Sequence, residues 1–457
     1  MDLRGTQTSR ANLRALLLAL LLSGLLAAAA SPAGALPRRG VPGAIGLYPA
    51  VQWHVQGAQQ AELEGVYCPH GGYCVAVGSA GNANSTVPLV LVETGAFYHG
   101  MASWAESEPK LPPGSTPSTG NALVSVACRA PQSCFAVGQV KQGSEMLPLV
   151  ETGRDTGGWK PGPTVGLPAN HSVAPVHASL TAVSCISSGC LALGSYWDSN
   201  EEPQAMAVLL SGSWGTAVNA APGSVLRLLD AVEVAPPRGA EAGTGANLTG
   251  VSCLSSACLA VGDYTNAHDN QEGMSAIFAG GIFSSLETVP APAGSAGIST
   301  TLSGVSCLFN AGHGTTCLAS GYYVASSNEL ATPMMATFVA SGTTETWQPS
   351  AQVALPSNGS GSGQLNSVSC LPPGDCAAVG TYQTPSGSDA LFYDEVPNRW
   401  LSVVPEPLSP QQAVTGAVSL ESIDCAATDN CAAVGEVTDN GARPQAIEAV
   451  SGASTPS

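Results

Sequence analysis

Leu180-Thr181-Ala182-Val183-Ser184-Cys185, a four-residue gap, and Cys190-Leu191-Ala192-Leu193-Gly194-Ser195-Tyr196 form one copy of a pattern that this chain carries seven times. The first cysteines of the copies are Cys68, Cys128, Cys185, Cys253, Cys307, Cys370 and Cys425, so the period is 54 to 68 residues. Self-similarity at a near-constant period marks a repeat architecture, and it overrides the two or three domains that 457 residues would otherwise suggest. Leu stands five before the first cysteine in every copy, from Leu63 to Leu420, and a β-branched residue two before it, from Val66 to Ile423. Short β-rich runs bounded by Ser, Gly, Asn and Pro read as strands. A glycine lies four past every second cysteine (Gly78, Gly138, Gly194, Gly262, Gly321, Gly380, Gly435). Inside a strand it points to a bulge or to close backbone approach.

After each glycine come a polar loop, a third apolar run such as 203–210, and a fourth strand that opens at Trp104, Trp159, Trp214, Trp347 or Trp400, with Ile282-Phe283 in the fourth copy. Four strands in roughly 60 residues, seven times over, predict an all-β, seven-bladed β-propeller, an architecture that leaves only short protected sheet edges. An open array or paired sandwiches is the competing arrangement. The seventh copy stops after its third strand near Ser451, so residues 51–55, Val51 to Val55, are expected to supply its fourth strand and latch the ring. The chain then divides into a leader at 1–35, a linker at 36–50, the propeller at 51–451 and a tail at 452–457.

All 14 cysteines lie in the repeats, two per copy: Cys68 and Cys74, Cys128 and Cys134, Cys185 and Cys190, Cys253 and Cys258, Cys307 and Cys317, Cys370 and Cys376, Cys425 and Cys431. No histidine recurs in register to complete a tetrahedral metal site, so each pair reads as a local disulfide across the hairpin of the first two strands. Arg4, Arg10 and Arg14 precede an apolar core from Ala15 to Ala30 and small-residue sites near Ala30 and Ala35, the three-part pattern of a signal peptide. An uncleaved anchor is the rival, although the run is short for the ~20 residues that span a bilayer. A secreted or cell-surface protein with no membrane span after the leader follows.

The formal charge is −18, with only three lysines, Lys110, Lys141 and Lys160. A nucleic-acid partner is excluded as an expectation, because that affinity comes largely from Lys and Arg neutralising phosphates. Acidity here serves solubility.

Val251-Ser252-Cys253 and Cys258-Leu259-Ala260-Val261-Gly262, with their six counterparts, resemble the secreted cysteine-repeat propeller-like proteins of actinobacteria, over about Leu63 to Ser451. The resemblance implies architecture and export and transfers no activity. The copies depart from it at the nine-residue gap from Leu308 to Thr316 and at Asp424 in the last copy, which affects the expected hairpin geometry there.

Catalytic patterns are not found: there is no Gly-x-Ser-x-Gly elbow, phosphate loop or His-Glu-x-x-His, so no catalytic residue is assigned. First strands of a propeller line its channel, and here the few acids they offer are Glu64, Glu421 and Asp424. Paired carboxylates can hydrolyse glycosides, and Glu64 and Glu421 become neighbours if the ring closes. Asp198, Asn200, Glu201 and Glu202 in one loop, and Asp263, Asn266, Asp269, Asn270 and Glu272 in the next, offer hard oxygen ligands; the latter set is the candidate calcium site, though its spacing misses that of a calcium loop. Asp and Asn also serve turns directly. Cofactors are otherwise none.

Loops joining the second and third strands, and those joining blades, share the face opposite the cysteine hairpins and carry the variable lengths, the longest connector being 215–247. Loops on a rigid scaffold are where binding sits. The expected function is a non-enzymatic binding or scaffold module at or outside the cell envelope, a monomer with a protein or glycan partner. The alternative is an extracellular polysaccharide hydrolase or lyase with its site at the channel mouth.

Overall fold

The structure, a computed structural model, describes residues 46–49 and the chain from 58 to 451 apart from short internal stretches, of which 213–227 and 404–416 are the longest. The leader, most of the linker, the tail and Val51–Val55 lie outside the described residues. Seven antiparallel sheets follow one another in chain order, each running outward from a first strand to a fourth. We number the blades 1 to 7 by their first strands: Gln60–His70, Ala122–Ala130, Ala178–Ile186, Ala246–Leu254, Thr300–Asn310, Gly363–Leu371 and Val418–Ala427. No helix among the described residues is long and apolar enough to cross a membrane.

Blade 7 is completed from the other end of the chain. Gly46–Pro49 pairs antiparallel with Pro444–Ser451, Gly46 opposite Val450 and Pro49 opposite Ile447. The closing strand therefore lies a few residues ahead of the tryptophan segment expected to supply it. In blade 3 the fourth strand is Val232–Glu233, pairing with Met206 and Ala207, whereas Trp214, expected to open it, lies outside the described residues.

The seven glycines have one cause. In blade 3, Leu180 faces Gly194 and Ala182 faces Leu193, so Thr181 is an extra residue and the first strand bulges. The bulge drives the two strands together until a Cβ on Gly194 would stand 1.9 Å from the Ser179 carbonyl oxygen. No side chain fits there. The same leucine-to-glycine register shift recurs in the other six blades.

Seven apolar clusters fill the seven gaps between neighbouring blades, from Val75, Val77 and Leu123 between blades 1 and 2 to Leu63, Leu89 and Val434 between 7 and 1. The fourth-strand tryptophans pack backward: Trp159 joins the blade 1–2 cluster, and Trp347 donates from Nε1 to Ser275 of blade 4 at 2.9 Å.

The serine before the first cysteine staples blades. Ser184, Ser252, Ser306 and Ser369 each accept, on Oγ, the backbone N–H of the next blade's first cysteine at 3.0–3.1 Å. At the seam where the ring closes, Asp424 takes over that role, accepting from Cys68 N at 2.7 Å and from Ser369 Oγ at 3.1 Å. The departure in the last copy is thus part of ring closure, and its hairpin keeps Cys425 opposite Cys431.

All seven cysteine pairs are disulfides with Cα–Cα separations of 3.9 to 4.2 Å, and there is no free cysteine. Six of the bridges span a separation of five or six residues and Cys307–Cys317 spans ten, which gives roughly 2 to 3 kcal/mol of chain-entropy stabilisation each. Because the hairpin it clamps is also held by strand pairing and blade packing, Cys185→Ser is expected to lower the melting temperature by a few degrees while leaving the ring closed. Unchanged melting in differential scanning calorimetry would count against a stabilising role for that bridge.

Candidate functional site

The bulges place one residue from each blade around the axis: Glu64, Val124, Thr181, Thr249, Ser303, Asn366 and Glu421. They enclose a space of about 150 Å³, below the ~300–1,000 Å³ of ordinary small-molecule sites. Several of these side chains are engaged with the next blade. Thr181 donates to the Leu248 carbonyl at 2.6 Å, Thr249 to that of Leu302 at 2.5 Å, and Asn366 to both the Leu420 carbonyl and Glu421 Oε2 at 2.9 Å.

Ring closure does bring Glu64 and Glu421 together, with Glu62 and Glu436 beside them. Burial first, and then repulsion from Glu421, Glu62 and Glu436, pushes the Glu64 carboxyl up to about 7. Burial and the charges of Glu62 and Glu421 raise Glu436 to about 7 as well. Glu421 is raised by burial, opposed by a hydrogen bond from Ser419 Oγ. At neutral pH Glu64 and Glu436 are therefore each close to half protonated.

On the face opposite the cysteine hairpins, four tyrosines two residues past the conserved glycine pin the loops. Tyr196 donates to Asn170 Oδ1 (2.9 Å) or Glu233 Oε2 (3.0 Å), Tyr323 to Gln352 (3.1 Å), and Tyr382 to Asn358 (3.1 Å) or Asp389 (3.3 Å). Tyr264 bonds Glu272 Oε2 at 2.6 Å and Thr288 at 2.7 Å. Sequence reading passed over them, although their common offset from the glycine was a signal.

The two acidic loops are built as one kind of turn. Asp198 Oδ1 accepts from Asn200 N (2.8 Å) and Glu202 N (3.1 Å), with Glu201 left-handed at φ 65°. Asn266 Oδ1 likewise accepts from His268 N (2.8 Å) and Asn270 N (3.1 Å), with Asp269 at φ 58°. In the candidate calcium loop, Glu272 Oε1 accepts from Asn266 Nδ2 at 2.7 Å and Asp263 Oδ2 from Gln271 Nε2 at 2.6 Å. These oxygens are serving the turn. No cluster of three or more His, Cys, Asp or Glu with metal-holding geometry occurs among the described residues.

On the same face the connector 162–177 runs beside the end of blade 3's second strand. Ser172 N donates to the Trp197 carbonyl and Trp197 N to that of His177, both at 2.8 Å. The Trp197 backbone is thereby fixed from both directions. Its indole lies 4.4 Å from the His177 ring, centroid to centroid, yet stays 40 % exposed, and Val173, next in the chain to Ser172, is 89 % exposed. The turn from Asp198 to Glu202 follows Trp197 directly in the chain, whereas Asn170 and Glu233 bond each other and the Tyr196 hydroxyl, on the opposite face of the strand. Of the long connector 215–247, residues 215–227 lie outside the described residues, and Glu233 accepts from Asn170 Nδ2 and the Tyr196 hydroxyl, both at 3.0 Å.

No protein-family model matches the chain, and no curated protein sequence does. Its fold is similar to that of solved structures at low identity. A protein of unknown function from Dyadobacter fermentans is 7 % identical, with TM-score 0.45, covering 90 % of this chain and 98 % of that one. The α-L-arabinofuranosidase Arb93A of Fusarium graminearum is 11 % identical with TM-score 0.39, and the α-L-arabinanase of Penicillium chrysogenum 9 % with 0.37, each covering 90 % of this chain and 98 % of its own.

Proposed function

We propose that this chain is a binding module, non-enzymatic, working at or outside the cell envelope, and that its recognition surface is the loop face bearing Trp197. The observation that carries the reading is a large aromatic side chain on the loop face, its backbone bonded from both sides, its indole 4.4 Å from the His177 ring and 40 % exposed. An exposed indole face suits the apolar face of a sugar ring, and aromatic anchors carry a large share of binding energy. Seven disulfides support an oxidising compartment. A cleaved leader, a protein partner and calcium in the Asp263–Glu272 loop belong to the same reading as proposals.

The test is a glycan and cell-wall-polymer binding screen with the oxidised protein, with and without calcium, followed by Trp197→Ala. Loss of at least tenfold in affinity, about 1.4 kcal/mol, with unchanged melting is expected. Equal binding by the variant would remove Trp197 from the site.

A second reading rests on the Glu64 and Glu421 carboxyls, both lining the axis and both raised by burial, since glycoside hydrolysis uses a pair of neighbouring carboxyls. Shortening of a soluble polysaccharide by the protein, abolished by Glu64→Gln, would establish it in place of the first.

A further inference from the structure

The face carrying the cysteine hairpins holds a second concavity, far along the chain from Trp197. In blade 2 the third strand Glu145–Arg154 turns into the fourth, Gly157–Pro161, and between this turn and the hairpin at Gln132 and Ser133 lies a cleft of about 550 Å³. Its size follows from the residues. Gly157 and Gly158 both take positive φ, 110° and 74°, and a Cβ on either would meet nothing within 4 Å. Trp159 packs against Gly153 on the blade 1 side, where a Cβ on Gly153 would stand 2.4 Å from the ring. The large side chain of the turn is thus withdrawn, and the opposite side of the sheet is left open.

On that side Phe135, Thr152 and Lys160 form one cross-strand row, Phe135 opposite Thr152 and Thr152 opposite Lys160. Gly153, between Thr152 and Arg154, faces Trp159 on the other side, and Arg154 lines the cleft with Thr152. Arg154 and Lys160 are both exposed, and both line the cleft with Gln132, Ser133 and Thr156; no carboxylate is among its described lining residues. In a chain with 32 acidic and 14 basic residues, two cations sharing a concavity without an acid stand out.

We propose that this cleft binds a uronic acid residue of a short acidic oligosaccharide, its carboxylate held by Arg154 and Lys160. A guanidinium matches a carboxylate in a planar two-point fork, and the lysine adds a point charge. Gln132, Ser133, Thr152 and Thr156 give amide and hydroxyl groups for ring hydroxyls, and the volume falls within the range of sugar-sized ligands. The chain's overall negative charge repels a long polyanion, so a short oligomer bound by local contacts is what this cleft takes.

This site is independent of the Trp197 face, and the experiment separates the two. Trigalacturonate, neutral galactotriose and inorganic phosphate are titrated calorimetrically into the oxidised wild-type protein, into Trp197→Ala and into the double variant Arg154→Gln, Lys160→Gln. Trigalacturonate is expected to bind wild type and Trp197→Ala alike, to bind the double variant at least tenfold more weakly at unchanged melting temperature, and to exceed galactotriose by a similar factor. Absence of trigalacturonate binding, binding that survives the double substitution, or equal binding of galactotriose overturns the proposal. Displacement by phosphate at equal or lower concentration overturns the uronate assignment.

Discussion

Lowering the pH from 8.5 to 5 will raise the melting temperature of this protein, the reverse of the usual response of a carboxylate-stabilised fold. Burial lifts the Glu151 carboxyl to about 8 and the Glu93 carboxyl to about 7, the latter opposed by a hydrogen bond from Cys74 N; burial and neighbouring acids lift Glu64 to about 7. Glu93 is 1 % exposed and Glu151 not at all, and neither oxygen of Glu151 has a hydrogen-bond partner. In the unfolded chain the same groups titrate near ~4.3. Between that value and their folded values the native state holds more protons than the unfolded one, so stability falls as pH rises. The contribution is fully present below about pH 4.3 and is lost as pH climbs through 7 to 8. The two most buried carboxyls together supply on the order of 5 kcal/mol. For a ring of roughly 400 ordered residues this corresponds to a rise of about 6 °C.

Glu151 also tells where the effect comes from. It sits opposite Ala136, and the residues opposite the corresponding alanine elsewhere include Leu91, Val208, Ala276 and Tyr393. Glu151→Leu puts blade 1's own residue into the same gap, and it is expected to raise the melting temperature at pH 8.5 by several degrees and at pH 5 by little. A flat or falling wild-type profile over this window, followed by scanning calorimetry, would sink the account.

The architecture was legible because the pattern is covalently and sterically pinned. Cys185 faces Cys190 across the hairpin, and Leu180 faces Gly194, so motif spacing translates directly into register. Closure by the segment ahead of the first blade was legible in kind, and the strand the structure describes there is Gly46–Pro49, with Val51–Val55 outside the described residues. Gly46-Leu47-Tyr48-Pro49 is four residues long with no alternating pattern to find, whereas Val51-Gln52-Trp53 looked like a strand. Blade 3's Val232–Glu233 is shorter still. The candidate site was less legible, for a physical reason: Trp197 meets His177 one step beyond the paired residues Ala178 and Tyr196, a contact that exists only once the register of the first two strands is known. Acidity in the loops was read both as a candidate calcium site and as turn chemistry, and Asp198 and Glu272 accept the hydrogen bonds of the turn reading. The recurring tyrosines at 196, 264, 323 and 382 were the overlooked regularity that marked the loop face.

Asp424 offers the sharpest test of how the ring is shut. Its carboxylate accepts from Cys68 N and Ser369 Oγ across two blade boundaries, and Ser422 beside it accepts from Val66 N at 3.2 Å. Burial nevertheless raises its carboxyl to about 6, with the hydrogen bonds from Cys68, Ser369 and Cys425 pulling the other way. The charge is thus costly above pH 6, while the acceptor it provides is needed. Asp424→Ser, which installs the acceptor that four other junctions use, is therefore expected to match or exceed wild-type stability at pH 7.5. Asp424→Ala leaves the Cys68 N–H without its partner and should fall below the serine variant by about 1–3 kcal/mol, the cost of an unsatisfied buried donor. Hydrogen exchange should locate the difference: amides of residues 66–68 exchange faster in the alanine variant than in the serine variant, while those of blades 3 and 4 keep their protection. Equal exchange at the seam in both variants would mean that strand pairing between Gly46–Pro49 and Pro444–Ser451, together with apolar packing, holds the ring closed without Asp424.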